Sequence, residues 1–233
     1  MVRLDGAVAI VTGGGRGLGR AVVQELTRRG AIARSCALHP EAGVDVVDVR
    51  RSDEVSSFVA EVERTSGPIS ILVNNAGWVD AYRDIEHVDD DAFRRYVDTN
   101  VGGAFYFMRA VIPLMRSRSR GRIVNVSSRA ASKVHSGLAL YSATKMAVRG
   151  LTQAVAKELA TAGDFVCVSV SPAGIATPMR SMLFGEDDAR AQQSPEAVAR
   201  VVGDIIDGST TVPSGADVEI TNGRIADVTP MRQ

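Results

Sequence analysis

A glycine-rich turn after the first apolar run constrains the fold more than any other feature. Residues 8–12 are predicted to form a short buried strand, and TGGGRGLG (12–19) leads from it into a helical pattern. Glycines at such a turn allow a sharp bend, close approach of a pyrophosphate and close packing of helix on strand. The helix N-terminus offers free N–H groups to phosphate oxygens. The turn therefore predicts a nucleotide-binding βα unit, with a purely structural turn as the alternative.

Strand and helix patterns alternate along the whole chain. The Val- and Ile-rich runs are apolar on both faces, which is typical of strands covered by helices on both sides. The alternation predicts one α/β domain over residues 1–233, with a parallel, doubly wound sheet and right-handed crossovers. The predicted strands are 8–12, 32–36, 44–47, 71–74, 123–127, 166–171 and 218–221. The predicted helices lie near 19–29, 52–65, 89–117, 141–162 and 195–207. The stretch 30–49 is too short for a full helix between the second and third strands.

Composition argues against several functional classes. The 233 residues carry 27 Lys and Arg against 27 Asp and Glu, so the formal net charge is zero. A neutral chain offers no global field for nucleic acid or an anionic membrane, so neither is expected as a partner. No apolar run reaches about 18 residues, and the N-terminus runs straight into the first strand, so we expect no membrane span and no leader.

The two cysteines indicate neither a metal site nor a disulfide. Cys36 and Cys167 fall in predicted buried strands and lack metal-ligand spacing. Free thiols of this kind usually fill the core of proteins in a reducing compartment. We therefore expect a cytoplasmic protein without a metal.

A tyrosine and a lysine lie one helical turn apart in YSATK (141–145). At spacing i and i+4, Tyr141 and Lys145 share one helix face. A nearby ammonium favours the phenolate form of a tyrosine, so the pair can move a proton on and off an oxygen near neutral pH. Ser128 lies thirteen residues before the tyrosine and supplies a hydroxyl. The structural alternative is a half-buried aromatic beside a solvated lysine.

Together these motifs resemble the single-domain type of short-chain dehydrogenase/reductase. The resemblance covers nearly the whole chain, through TGGGRGLG (12–19), Asp48-Val49, NNAG (74–77), Asn100, IVNVSS (123–128), YSATK (141–145), and Pro172 with Thr177. It implies a Rossmann-type fold with a seven-stranded parallel sheet in the order 3-2-1-4-5-6-7. It also implies a hydride transfer between a nicotinamide dinucleotide and a carbonyl or secondary alcohol.

The resemblance assigns a catalytic role to each of four residues. Tyr141 would give a proton to the carbonyl oxygen, or take one back from the alcohol. Lys145 would lower the pKa of the tyrosine and hydrogen-bond the nicotinamide ribose, and Ser128 would hold the substrate oxygen. Asn100 would fix a water that links Lys145 to solvent; a helix-interior amide bonded to its own backbone is the alternative. Ser127 is the competing serine, and Ser128 is preferred because of its spacing.

The resemblance also implies a dinucleotide site. Asp48 would receive the adenine amino group, Val49 would lie against the ring, and Gly77 would let the ribose approach. Ala173 replaces a usual glycine and would be strained at positive φ, so the path of the loop that holds the nicotinamide is open. Asn74 is expected to bracket neighbouring strands. The implied cofactor-binding residues are Gly13, Gly15, Arg16, Gly17, Leu18, Gly19, Asp48, Val49, Asn75, Ala76, Gly77, Tyr141, Lys145, Pro172, Ile175 and Thr177.

The end of the second strand favours NADP(H) over NAD(H). An acidic residue there would hold the ribose 2′-hydroxyl of NAD, but the aligned residue is Ala37 and the next acid is Glu41. Arg16 in the glycine turn can reach a 2′-phosphate with its guanidinium. We therefore expect NADP(H) to be preferred, with NAD(H) as the alternative.

The sequence outlines the substrate pocket but does not identify the substrate. Substrate should sit above the carboxyl ends of the strands, near Ser128 and Tyr141. Trp78, on the loop after NNAG, suggests a flat or aromatic substrate, with ordinary packing as an equal alternative. Residues 177–194 form a short lid whose Met179 and Leu183 are expected to contact substrate.

These observations predict an NADP(H)-preferring carbonyl reductase or secondary-alcohol dehydrogenase. The first alternative is an NAD-dependent dehydrogenase of a cyclic alcohol or dihydrodiol, and the second is a dinucleotide-binding regulator with little turnover. The partners expected are a small-molecule substrate and further copies of the chain, since the resemblance implies a homodimer or homotetramer paired through the helices that hold Asn100 and Tyr141.

Overall fold

The computed structural model describes residues 4–231 as eight strands with helices on both faces. The outermost residues of the predicted domain 1–233, Met1–Arg3 and Arg232–Gln233, lie outside the described residues. The sheet order is β3-β2-β1-β4-β5-β6-β7-β8, and every pair except β7–β8 is parallel. The strands are β1 Val8–Thr12, β2 Ile32–Ala37, β3 Asp45–Val46, β4 Ile69–Asn74, β5 Arg120–Val126, β6 Asp164–Pro172, β7 Asp217–Thr221 and β8 Arg224–Thr229.

The prediction of a doubly wound Rossmann-type sheet is confirmed, with one addition. The first seven strands follow the predicted order, and β8 adds an antiparallel edge strand that was not predicted. Asn222 and Gly223 form a two-residue turn, both at positive φ, and Thr221 pairs with Arg224 across it. An Asn-Gly pair is a strong signal for such a hairpin, so the sequence did contain the clue.

The helices divide into two layers that bury different sides of the sheet. Side chains of α1 and α8 pack in one core cluster, and those of α2, α4 and α5 pack in another on the opposite face. The helices are α1 Gly17–Arg28, α2 Ser52–Ser66, α3 Asp90–Val97, α4 Gly103–Arg116, α5 Ala139–Leu159, α6 Pro178–Phe184, α7 Glu186–Arg190 and α8 Pro195–Asp207.

The long helix predicted over residues 89–117 is interrupted. A π-helical segment, Asp98–Gly102, separates α3 from α4 and contains the buried Asn100. The side chain of Asn100 bonds both backbone polar groups of Trp78, whose amide donates to Oδ1 at 2.7 Å and whose carbonyl accepts from Nδ2 at 3.0 Å. Apolar periodicity continues through this segment, so local sequence alone could not reveal a break that a distant loop helps to fix.

Other sequence predictions concern the compact crossover and the cysteines. No helix lies between β2 and β3, as predicted, and both cysteines are buried and free. In the part of the chain that the structure describes, no helix is long and apolar enough to cross a membrane. The same residues hold no cluster of three potential metal ligands.

Candidate active site

The glycine turn is shaped by contacts that side chains would block. Gly13 and Gly17 have φ values of 68° and 53°, a region that L side chains rarely adopt. A Cβ on Gly19 would overlap the carbonyl oxygen of Gly13, so α1 can approach β1 only with glycine there. Gly13 N and Gly14 N donate to the carbonyl oxygen of Cys36, at 2.8 and 3.2 Å. These bonds fix the turn against the carboxyl end of β2.

The N-terminus of α1 is left without a side-chain cap. Arg16 stands at its N-cap position without a capping hydrogen bond, and the first turn carries no acidic residue. By contrast, Asp89 caps α3 and Ser194 caps α8. An uncapped N-terminus beside a glycine turn suits an anionic phosphate group, so the residues present fit a dinucleotide.

One cavity of about 430 Å³ joins the glycine turn to the tyrosine and serine. It runs along the carboxyl ends of the strands, where ligands bind in open α/β sheets. Gly19 and Asn100 do not line it. Gly19 lets α1 approach the glycine turn closely, and Asn100 bonds the backbone of Trp78. The predicted residues that line it are Gly13, Gly15, Arg16, Gly17, Leu18, Asp48, Val49, Asn75, Ala76, Gly77, Trp78, Ser128, Tyr141, Lys145, Pro172, Ile175, Thr177, Met179 and Leu183.

The NNAG segment fastens the middle of this cavity to β1. The backbone amides of Asn75 and Ala76 donate to Oγ1 of Thr12 at 3.0 and 2.9 Å, and Asn75 Nδ2 donates to the Thr12 carbonyl oxygen. Asn74 Nδ2 donates to Oδ1 of Asn125 at 2.8 Å, which confirms the predicted bracket between neighbouring strands. The segment thus holds the cavity wall rigidly, as preorganised binding requires.

The two adjacent serines have different surroundings. Ser127 is buried, and its hydroxyl donates to the carbonyl oxygen of Lys145 at 2.9 Å. Ser128 Oγ accepts from the amide of Ala130 at 3.1 Å, and its hydroxyl faces the phenol of Tyr141 closely enough to lower the pKa of that phenol. Ser128 is therefore the serine placed beside the tyrosine.

The pKa of Tyr141 does not follow the sequence expectation. Burial raises the pKa of the phenol above its usual value, and the hydroxyl of Ser128 opposes that shift. Lys145 Nζ lies 5.7 Å from the centroid of the tyrosine ring and donates to the carbonyl oxygen of Val126 at 2.9 Å. The prediction that Lys145 lowers this pKa is not borne out, because the ammonium is directed at a backbone carbonyl. The phenol is therefore protonated at neutral pH.

Lys145 is a buried cation with no carboxylate partner among residues 4–231. Burial lowers the pKa of its ammonium to about 8. A group with this pKa is close to its protonation midpoint near neutral pH, which suits a proton relay. The adjacent Thr144 Oγ1 accepts from Nδ2 of Asn100 at 3.0 Å and links the π-helical segment to α5.

The loop after β6 reaches the cavity without strain at Ala173. Among the described non-glycine residues only Ser119 and Asn222 adopt positive φ, so Ala173 does not. Its amide donates to the carbonyl oxygen of Ile220 at 2.8 Å and extends the pairing with β7. Thr177 caps α6 through its hydroxyl, which accepts from the Arg180 amide, and its methyl group faces Gly17. The glycine turn and the lid therefore meet at Thr177.

The end of the cavity beyond Ser128 combines aromatic and apolar side chains with the basic side chains of Arg95, Arg129 and Arg180. Trp78 packs on Tyr96 with ring centroids 4.7 Å apart, and the guanidinium of Arg95 lies 4.5 Å from the Trp78 ring. The lid forms two short helices, α6 and α7, and its Phe184 meets Tyr82 edge-on at 5.4 Å. Sequence reasoning missed Arg95 and Tyr96, since both lie on α3 rather than on a motif.

The opposite end of the cavity holds the residues predicted to surround adenine. Val49 is buried, and Arg50 forms an ion pair with Asp48 that lowers the pKa of its carboxyl. Glu41 also lines this end, although the sequence did not predict it there because three residues separate it from Ala37. Its position follows from the short crossover between β2 and β3.

Comparisons with known proteins agree with this geometry. The family model described as short chain dehydrogenase matches residues 7–188. A 3beta-hydroxysteroid dehydrogenase of Mediterraneibacter gnavus is 36% identical over 194 residues, which cover 77% of this chain and 70% of that protein. An NADPH-dependent pterin aldehyde reductase of Arabidopsis thaliana is 31% identical over 225 residues, covering 91% and 92% of the two chains.

Solved structures match the fold closely. A 3-ketoacyl-(acyl-carrier-protein) reductase from Brucella melitensis, complexed with NADH, superposes with a TM-score of 0.87 at 26% identity, covering 95% of this chain and 99% of that one. A ligand-free aldohexose dehydrogenase from Thermoplasma acidophilum superposes with a TM-score of 0.84 at 29% identity, covering 97% and 98%. The fold is thus shared over nearly the whole length of these structures.

Proposed function

The chain belongs to the short-chain dehydrogenase/reductase family of NAD(P)-dependent oxidoreductases, and on that premise we propose that it reduces the carbonyl of a cyclic or aromatic substrate. The observation that carries the proposal is the meeting of Ser128, Tyr141 and Lys145 at one wall of a cavity whose far end is the glycine turn. In the reverse direction the same site oxidises a secondary alcohol.

In this proposal Tyr141 is the acid. The nicotinamide supplies a hydride to the carbonyl carbon when it is bound in reduced form. Tyr141 gives its phenolic proton to the carbonyl oxygen, and the raised pKa of the phenol keeps that proton in place at neutral pH. Ser128 holds the same oxygen through its hydroxyl. Lys145 would hold the ribose of the bound dinucleotide, and its ammonium, with a pKa of about 8, would supply the proton that restores the phenol of Tyr141.

The substrate class follows from the aromatic end of the cavity. Trp78 and Phe184 line the cavity with ring surfaces, and Met179 and Leu183 of the lid supply flexible apolar contacts. Two similar proteins are named for a hydroxysteroid and a pterin aldehyde, and both of those compounds contain rings. We therefore favour a flat ring ketone over the acyl substrate for which the Brucella melitensis reductase is named.

Replacement of Tyr141 by phenylalanine tests the acid assignment. We expect Tyr141→Phe to bind reduced dinucleotide as the wild type does, because the ring is retained, and to lose activity by a factor on the order of 100 to 10,000. Turnover is measured by loss of reduced-nicotinamide absorbance against a panel of cyclic and aromatic ketones, and binding is measured by calorimetry.

Tyr106→Phe is the matched control, because Tyr106 lies on α4 against Arg109 and outside the cavity. Its turnover should equal that of the wild type. Retention of full activity by Tyr141→Phe would remove the tyrosine from its role. A chain that binds dinucleotide but reduces nothing would instead favour a binding protein with little turnover.

The choice between the two dinucleotides is a separate question. The expectation of NADP(H) rests on Arg16 and on the lack of an acid at Ala37, and it stays a prediction. The position of Glu41 favours the alternative, an NAD-dependent dehydrogenase of a cyclic alcohol or dihydrodiol.

A further inference from the structure

The connection between β2 and β3 is short and folds back on the glycine turn. It contains no helix, and it is closed by the amide of Val44, which donates to the carbonyl oxygen of Glu41 at 3.1 Å. The amide of Val47 donates to the carbonyl oxygen of Ala37 at 2.9 Å, so both ends of the connection are fixed. A longer crossover with a helix would carry the residues after β2 away from the cavity.

This folding brings the carboxyl group of Glu41 against Gly15. A Cβ built on Gly15 would lie 2.9 Å from Cδ of Glu41 and 3.1 Å from its Oε1. Within residues 4–231 this carboxylate has neither an ion pair nor a side-chain hydrogen bond. Glu41 therefore presents an uncompensated negative charge at the glycine turn.

The residues around the Glu41 carboxylate are those that would surround the adenosine ribose of a bound dinucleotide. Gly15 belongs to the phosphate-binding turn, and Ala37 and Leu38 at the end of β2 line the cavity beside Glu41. In dinucleotide-binding folds an acid about 20 residues beyond the glycine turn binds the ribose 2′-hydroxyl. Ala37 cannot do so, but Glu41 supplies the missing carboxylate from the neighbouring loop.

Charge at this position separates the two dinucleotides. The 2′-phosphate of NADP(H) carries between one and two negative charges near neutral pH, as phosphomonoesters do. A carboxylate at the same place repels it, whereas it accepts a hydrogen bond from the 2′-hydroxyl of NAD(H). Arg16 acts in the opposite sense, and both side chains are exposed to solvent. Glu41 is nevertheless held against Gly15 by the short connection, whereas within residues 4–231 the Arg16 guanidinium has no hydrogen bond or ion pair that fixes its position.

We propose that Glu41 is the specificity-determining residue of the cofactor site and makes this chain selective for NAD(H). The inference rests on the proposed function, because it requires a dinucleotide in the cavity. It reverses the preference expected from the sequence, since it gives the deciding charge to Glu41 rather than to Arg16.

Direct binding measurements test the proposal without need of a substrate. Calorimetry of the whole chain with NADH and with NADPH should give tighter binding of NADH in the wild type. Glu41→Gln keeps the size of the side chain and removes its charge. It should weaken NADH by about tenfold, as loss of a charged hydrogen bond does, and should strengthen NADPH.

Two further variants sharpen the result. Glu41→Gln combined with Arg16→Ala should lose the gained NADPH affinity, because Arg16 would then be the remaining 2′-phosphate contact. Glu61→Gln is the matched control, since Glu61 lies on α2 outside the cavity and pairs with Arg64. It should leave both affinities unchanged.

The outcomes distinguish this proposal from the proposed function. Tighter binding of NADPH than of NADH by the wild type, or an unchanged ratio in Glu41→Gln, would overturn the role of Glu41 and leave the oxidoreductase intact. Failure of the folded wild type to bind either dinucleotide would instead overturn the proposed function itself. Circular dichroism of each variant checks that the chain is folded.

Discussion

Lys145 shows how a single functional side chain can work against stability. Its Nζ is enclosed between β5 and α5, with one backbone carbonyl as its described partner. Burial lowers its pKa from 10.5 to about 8. Each unit of such a shift corresponds to about 1.4 kcal/mol, so the charged lysine destabilises the folded chain by up to about 3 kcal/mol below pH 8.

Replacement of Lys145 by methionine should therefore stabilise the protein while it abolishes activity. Methionine keeps the length of the side chain and removes the buried charge, but it also loses the hydrogen bond to Val126. We expect a net gain of about 2 kcal/mol in the free energy of unfolding at about pH 7. Urea unfolding measures the gain, and ketone reduction measures the loss.

The lowered pKa of Lys145 also determines how the stability difference between the two proteins should change with pH. Between pH 8 and 10.5 the unfolded lysine holds a proton that the folded one has released, so wild-type stability rises with pH across that window. The advantage of Lys145→Met should therefore shrink from about pH 8 upward. Lys157→Met, at an exposed site on the same helix, is the control and should show no such trend. An advantage that is constant with pH would contradict the assignment of a buried charge.

At the scale of residues, the sequence predicted which groups meet but not their electrostatic state. Spacing and family resemblance placed Ser128, Tyr141 and Lys145 together, since strand ends and helix faces follow from the motif. The pKa direction of Tyr141 depends on burial and on where Lys145 Nζ points, and neither can be read from YSATK. The position of Glu41 depends on the path of a loop, which has no periodic signal.

At the scale of elements, Arg29 joins two helices that are distant in the chain. It follows the C-terminus of α1 and pairs with Glu25 at 2.6 Å, with Asp204 at 2.8 Å and with Asp207 at 2.6 Å. Its side chain is 13% exposed, and these carboxylates raise the pKa of its guanidinium. Gly203 on α8 leaves the space that the guanidinium occupies.

Loss of this arginine should loosen α1 from α8. Arg29→Met keeps much of the apolar stem but leaves three carboxylates close together without their shared cation. We expect the free energy of unfolding to fall by about 2 to 3 kcal/mol at neutral pH. Arg28→Met is the control, because Arg28 also pairs with Glu25 but is 67% exposed, and it should change stability little. Denaturant unfolding of both variants makes the comparison, and equal losses would contradict the bridging role.

The elements themselves were largely predictable, and the misses have physical causes. Apolar periodicity and the glycine turn gave seven strands and the main helices, because burial fixes those patterns. The break at Asp98–Gly102 was missed because Asn100 is fixed by a loop 22 residues earlier in the chain. The strand β8 was missed because its residues alternate weakly, although Asn222-Gly223 signalled its turn.

At the scale of the whole molecule, one layer of helices leaves apolar side chains in solvent. Phe93 and Val97 of α3, Phe105 of α4 and Met146 of α5 are between 37% and 54% exposed. Exposed apolar side chains concentrated on neighbouring helices are typical of interaction surfaces. Enzymes of this family commonly form oligomers, and the sequence predicts a homodimer or homotetramer through these helices.

A second copy of the chain is the occupant we expect on this surface. Phe105→Glu places a charge in the middle of a surface that would be dehydrated on pairing, and a buried unpaired charge is costly. We therefore expect the variant to sediment as a monomer at concentrations where the wild type is a dimer or tetramer. Val46→Glu, at an exposed apolar site on β3, is the control and should keep the wild-type mass. A monomeric wild type would remove the interface.

Pairing through these helices would also affect the active site. α5 carries Tyr141 and Lys145, and Asn100 lies directly before α4, so a partner packed on both helices would hold the catalytic residues in place. If that is so, monomeric Phe105→Glu should keep dinucleotide binding, because the glycine turn lies on β1 and α1, and should lose turnover. Full turnover by a proven monomer would show that a single copy holds its own site, and the apolar surface would then serve assembly alone.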